Sequence, residues 1–144
     1  MKNVTNAVIN ENFEDFQVQD FQLKEFFEGK GATYTLLRSE NRPMSIVNTS
    51  GDHVTGKALL LRKKSTLEIK FDSPHKRFSF WYVLSEHGFE VRLYDVNDRE
   101  VKKDVHFEDN SEKHFDCRND LAIAKIELKT IQDNVLIDNI YAGS

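Results

Sequence analysis

From Thr33 onward, apolar residues recur mainly at every second position, the period of a half-buried β-strand. Thr33–Leu37 is one such segment, and after the turn-prone stretch from Ser39 to Pro43 comes the short apolar run Met44–Val47. Thr49-Ser50-Gly51-Asp52 reads as a loop, and Ala58–Leu61 as a buried strand. Leu67, Ile69 and Phe71 alternate with Glu68 and Lys70 until Asp72-Ser73-Pro74 closes the segment. The most hydrophobic stretch is Arg77–Leu84. Phe78, Phe80 and Tyr82 share one of its faces, with Trp81 and Val83 on the other. A strand apolar on both faces is expected at the centre of a sandwich.

Further strands are predicted at Phe89–Asp95, Val101–Phe107, Leu121–Leu128 and Val135–Tyr141, with a polar loop over Glu108–Glu112 and a short extended piece at His114–Cys117. The total is about eight to ten strands, with turns too close together for helical crossovers, so the expected fold is an all-β, antiparallel two-sheet β-sandwich. The N-terminal part is ambiguous. Leu23, Phe26 and Phe27 stand at i, i+3 and i+4, which suits a short helix from Phe21 to Glu28 stopped by Gly29. Strands flanking Val18–Leu23 fit equally well.

Composition narrows the picture. The 144 residues suit one domain, 1–144, and the 11 phenylalanines beside only 6 Gly and 2 Pro favour a sheet core over loops or disorder. No run approaches the roughly 18 apolar residues of a membrane-spanning helix. The opening MKNVTNAVINENF lacks the apolar stretch of a secretory signal, so a cytoplasm is the expected compartment, at least initially. A formal charge of −4 without a dense basic stripe argues against nucleic acid.

Catalytic chemistry has little to stand on. Cys117 is the only cysteine, which excludes a disulfide framework, and His114 lies three residues away, on the opposite face of a strand. The histidines 53, 75, 87, 106 and 114 show no metal-ligand spacing. Nothing selects a glycosidase pair from 24 acidic residues, so no catalytic residue is assigned and the chain is read as non-enzymatic. Basic clusters at Arg62–Lys64, His75–Arg77 and Lys102–Lys103 would attract anionic lipid if they shared one rim.

Three segments together carry a resemblance: Asn12-Phe13-Glu14-Asp15-Phe16 near the start, Gly56-Lys57-Ala58-Leu59 in the middle, and Asp138-Asn139-Ile140 at the end. Their order resembles the galactose-binding-like jelly-roll carbohydrate-binding modules, in which the corresponding segments lie side by side. The resemblance implies a structural calcium held by Glu14 and Asp138, with loop carbonyls near Gly56 and Lys57. The oxygen-rich shell that calcium requires suits two carboxylates. It also implies sugar binding on exposed aromatics, nominally Trp81, Tyr82, Tyr34 and Tyr141, although Trp81 sits in the strand where a core position is the first expectation.

In its length, its Phe-rich opening from Phe13 to Phe27 and its closing Ile137–Ser144, the chain also resembles small prophage lytic-cassette proteins of the XepA/YomS type. That resemblance implies a homo-oligomer, a ring-shaped pentamer, with a part in host lysis or envelope disruption. The alternative is a carbohydrate-binding module or phage-tail adhesin that recognises a cell-wall glycan.

Overall fold

A computed structural model of the chain describes residues 8–84, 88–106 and 112–143. His87, Phe107, the loop at 108–111 and Ser144 lie outside the described residues. The strands, in chain order, are β1 (Ile9–Glu11), β2 (Gln19–Phe21), β3 (Phe26–Glu28), β4 (Ala32–Arg38), β5 (Met44–Thr49), β6 (Gly56–Leu61), β7 (Thr66–Leu84), β8 (Phe89–Tyr94), β9 (Glu100–His106), β10 (Glu112–Thr130) and β11 (Val135–Gly143). Every pairing among them is antiparallel. No helix occurs among the described residues, and so none is long and apolar enough to cross a membrane.

The strands form two layers that share their longest members. In the first layer the order is β2-β5-β6-β11, followed by the C-terminal half of β7 and the N-terminal half of β10. β1 pairs with Ile140–Ala142 of β11, beyond the point where β6 leaves off at Ile137. In the second layer the order is β3-β4, the N-terminal half of β7, the C-terminal half of β10, then β8 and β9. The early, middle and late motif segments thus meet around β11, as the jelly-roll resemblance implies.

Two boundaries differ from the sequence reading. Leu67–Phe71 and Arg77–Leu84 belong to one strand, and so do His114–Cys117 and Leu121–Leu128. Asp72-Ser73-Pro74 does not end β7. It falls where β7 passes from pairing with β4, up to Phe71, to pairing with β11, from Arg77 onward, and His75 bridges to Ile123 between the two ladders. The turn signal therefore marks a crossing between layers instead of a strand end.

The helix considered for Phe21–Glu28 is replaced by β2, a turn and β3. Lys24 has φ of 71°, which a right-handed helix excludes, and the Glu25 N–H donates to the Gln22 carbonyl across the turn at 2.9 Å. Phe21 and Phe27 both point inward while Phe26 is 60% exposed. Packing of alternate residues decides the segment in favour of strands.

The phenylalanine excess has a place in the core between the layers. Phe13, Phe21, Phe27 and Tyr34 form one aromatic cluster, in which the Phe27 and Tyr34 rings stack at 4.8 Å and 7°. Phe78, Phe80, Phe115, Tyr82 and Phe89 form another, in which Tyr82 of the first layer meets Phe89 of the second edge-on at 4.9 Å.

Candidate functional site

Strand register alone assembles the most distinctive surface, the outer face of the first layer. Because directly opposed residues in antiparallel strands point the same way, the pairings Asp138–Trp81 and Trp81–His114 put three side chains in one row across β11, β7 and β10. The next row is Leu136–Val83–Glu112. The β5–β6 loop then folds over these rows. Together they enclose an open recess of about 660 Å³, lined by Thr49–Val54 from the loop and by Trp81, Val83, Glu112 and Leu136 from the sheet.

Hydrogen bonds hold the loop at both ends. The His53 and Val54 N–H groups donate to the Glu112 carboxylate, at 3.0 Å to Oε1 and 2.7 Å to Oε2 respectively. The Val54 bond above all, then that of His53, holds the Glu112 carboxyl below the usual carboxylate range. Beyond the recess, Thr55 N–H donates to Asp138 Oδ2 at 3.1 Å and Lys57 N–H to Glu14 Oε2 at 2.6 Å. The Asn139 side-chain amide donates to the His53 carbonyl at 2.6 Å. So fixed, the loop lays the His53 imidazole parallel to the Trp81 indole, with ring centroids 3.6 Å apart and planes 6° apart. His114 approaches the same indole at 4.8 Å, tilted by 32°. Trp81 is half-buried and both histidines are exposed. The expected core position of Trp81 is corrected accordingly: its strand is central, but the indole projects outward beneath a loop.

The other nominated aromatics do not join it. Tyr34 and Tyr82 are buried in the core, and Tyr141, opposite Ser79, lies in the adjacent outer row on the side away from the recess, under the Arg77 guanidinium, 5.6 Å from its ring. Cys117 points inward at 3% exposure, where burial pushes its thiol up, while His114 points outward. The two cannot act as a dyad. The basic clusters are committed locally: Arg62 donates to the Pro43 carbonyl and Ser45 Oγ, both at 2.7 Å, Lys64 pairs with Glu40, Arg77 with Asp116, and Lys103 with Glu90.

Glu14 and Asp138 converge on the same short loop segment, Thr55–Lys57. Asp138 is 1% exposed. Burial raises its carboxyl to about 6, against the lowering effect of the Thr55 and Asn139 N–H groups and with a further push from the negative charges of Glu14 and Glu11. A divalent cation would relieve that repulsion. The loop, however, offers N–H groups where a calcium shell requires oxygens, and the buried Glu11 already accepts from Phe13 N–H at 3.0 Å and Lys30 N–H at 2.9 Å. Among the described residues no group of three His, Cys, Asp or Glu side chains is arranged to hold a metal.

His53 and Glu112 are the site residues that sequence reading overlooks. Each stands in a polar loop or at its edge, and only tertiary register brings it to Trp81.

No family model matches the chain, and no curated protein sequence does so either. Solved structures do. A variant of a family 29 carbohydrate-binding module aligns at a TM-score of 0.57 and 11% identity, covering 89% of this chain and 92% of its own. Another variant of that module, complexed with cellulohexaose, aligns at 0.52 and 14%, covering 77% and 90%. A cleaved adhesin domain of Lys-gingipain aligns at 0.60 and 8%, covering 96% and 98%. At such identities the likeness is one of fold: this chain shares the β-sandwich of carbohydrate-binding modules and of an adhesin domain.

Proposed function

We propose that the chain is a non-catalytic glycan-binding domain that takes a saccharide in the Trp81 recess. The observation that carries this reading is the stacked His53–Trp81 pair, one ring from the loop and one from the sheet, lining a recess on an outer sheet face. Sugar rings present apolar C–H faces and polar hydroxyl edges. Stacked aromatic rings beside Val83 and Leu136 suit the former, while the Glu112 and Asp52 carboxylates and the Ser50 hydroxyl suit the latter. The resemblance in fold to carbohydrate-binding modules and an adhesin domain supports the same reading. It supports the prophage lysis reading, the first one drawn from the sequence, less, because those neighbours are carbohydrate-binding modules and an adhesin domain.

Trp81 is the only tryptophan, so its fluorescence reports occupancy of the recess directly. Titration with soluble β-glucans, mannans and solubilised cell-wall polymers should give a saturable change with one of these classes. His53→Ala should weaken that binding by about tenfold, the equivalent of some 1.4 kcal/mol of lost stacking. Absence of a saturable change across the three classes, or an unaltered affinity in His53→Ala, would overturn the assignment. Calcium at Glu14 and Asp138 belongs to the same proposal. Its support is the convergence of the two carboxylates on the Thr55–Lys57 segment.

A further inference from the structure

The outer face of the second layer has a different character, set by charge. Arg38 on β4, Thr66 on β7 and Lys129 on β10 are directly opposed across three adjacent strands, so their side chains form one row. Two adjoining grooves, of about 220 and 440 Å³, meet on those three residues. Both grooves also contain a carboxylate, and each carboxylate faces a cation outside the Arg38–Thr66–Lys129 row. Glu90, directly opposite Lys129 on β8, pairs with Arg92 and Lys103, both at 3.4 Å, and Glu127 shares the Lys125 ammonium, at 3.9 Å, with Glu68 and, at 2.6 Å, Asp98. Lys64, at one end, pairs with Glu40 at 3.7 Å. Arg38 and Lys129 have no ion-pair partner among the described residues. The groove thus sets two cations that make no ion pair among the described residues on either side of a hydroxyl, on a chain whose formal charge is −4.

We propose that this groove is a second saccharide site, selective for an acidic sugar unit whose carboxylate or sulfate sits between Arg38 and Lys129. The inference rests on the reading of the chain as a glycan-binding domain. Arg38 offers a planar fork that matches an oxyanion in two-point fashion, Lys129 a compact charge, and Thr66, at 6% exposure, a short hydroxyl set in the groove floor. Because it opens on the layer opposite the Trp81 recess, one molecule could engage two glycan chains, or two stretches of one chain.

Affinity electrophoresis of the full chain tests the proposal, with polygalacturonate, its fully methyl-esterified form, a sulfated galactan and single-stranded DNA as the embedded polymers. Retardation by the uronate or the sulfated polymer, and not by the ester or by DNA, is the expected result. The two acidic arms decide between carboxylate and sulfate. Arg38→Gln combined with Lys129→Gln should weaken retardation by about tenfold or more, since two charge-assisted hydrogen bonds are lost. Lys76→Gln with Arg118→Gln, which removes the same charge elsewhere, should leave it unchanged. Equal retardation by DNA, or equal loss in both double variants, would reduce the effect to general charge attraction and overturn the site. Failure of both acidic polymers while a neutral glycan still shifts Trp81 fluorescence would overturn the groove and leave the recess standing. Failure of every glycan in both experiments would overturn the glycan-binding reading itself.

Discussion

Asp138 is the residue on which motif, loop and strand converge, and its environment makes it a source of pH dependence. Its folded value of about 6 lies above the ordinary 3.8, so the folded state holds the proton more tightly than the unfolded chain does. The associated stability is complete below about pH 4 and is lost as pH rises through 6, a span worth up to about 3 kcal/mol. His75 acts in the opposite sense. It is buried against Phe71, its Nδ1 has no hydrogen-bond partner among the described residues, and burial lowers its value, so its contribution is present above 6.5 and lost as pH falls through the folded value. Thermal melts of Asp138→Asn between pH 4.5 and 7.5 should therefore lack the loss toward neutrality that the native protein shows. If the two proteins run parallel, the carboxyl is not protonated in the fold. Calcium bound at this point would keep the carboxylate ionised. At pH 7.5 it should then raise the native midpoint above that in chelator, and identical midpoints would remove the metal. Glu14 and Asp138 were legible as a pair only through a resemblance. Glu11 and Glu112, which do equal work in holding backbone N–H groups, were not, because nothing in the chain separates a clamping carboxylate from the other acids.

At the scale of elements, the informative departures from simple alternation are backbone ones. In β11 the register against β7 shifts between Asp138 and Tyr141, and Asn139 within that shift has φ of 52°. The bulge lets Ile137 and Ile140, three apart, both face the core, and it presents Asn139 to the β5–β6 loop. Asparagine is among the few residues that take this conformation readily. Replacing it by glycine removes one side-chain hydrogen bond. Replacing it by valine removes the bond and adds backbone strain of about 1–3 kcal/mol. Urea denaturation should accordingly rank the native protein above Asn139→Gly and both above Asn139→Val. Equal losses in the two variants would assign the whole effect to the hydrogen bond. Bulges of this kind are hidden from a period-2 reading, as is the passage of β7 between layers at Asp72–Lys76. The strands with clean alternation, β4 and β8, were legible because one face of each is buried. The N-terminal segment was not, because three-residue strands are too short to display a period.

The whole molecule is organised by the two strands that belong to both layers. β7 and β10 each run 19 residues, pair with one another at both ends, and so carry hydrogen bonding from one sheet into the other. A sandwich of separate sheets is joined only by side-chain packing and loops, whereas here disruption of either layer loosens strands that the other needs. The core is likewise continuous, from Phe13 and Tyr34 at one end to Tyr82 and Phe89 at the other. The layers should therefore unfold as one cooperative unit, although their outer faces differ in chemistry. Leu128, on β10, is buried where that strand pairs with β7 and β8 in the second layer, while Trp81 sits on the outer face of the first. Leu128→Ala should lower stability by about 2–5 kcal/mol. The loss should appear at the same denaturant midpoint in Trp81 fluorescence as in far-ultraviolet circular dichroism. A Trp81 transition that stays at its native midpoint while the dichroism shifts would mean that the layers melt separately. Coincident shifts would mean that the Trp81 recess and the Arg38–Lys129 groove stand on a single cooperative frame, so that a ligand bound at either would stabilise the other by mass action without any change of shape.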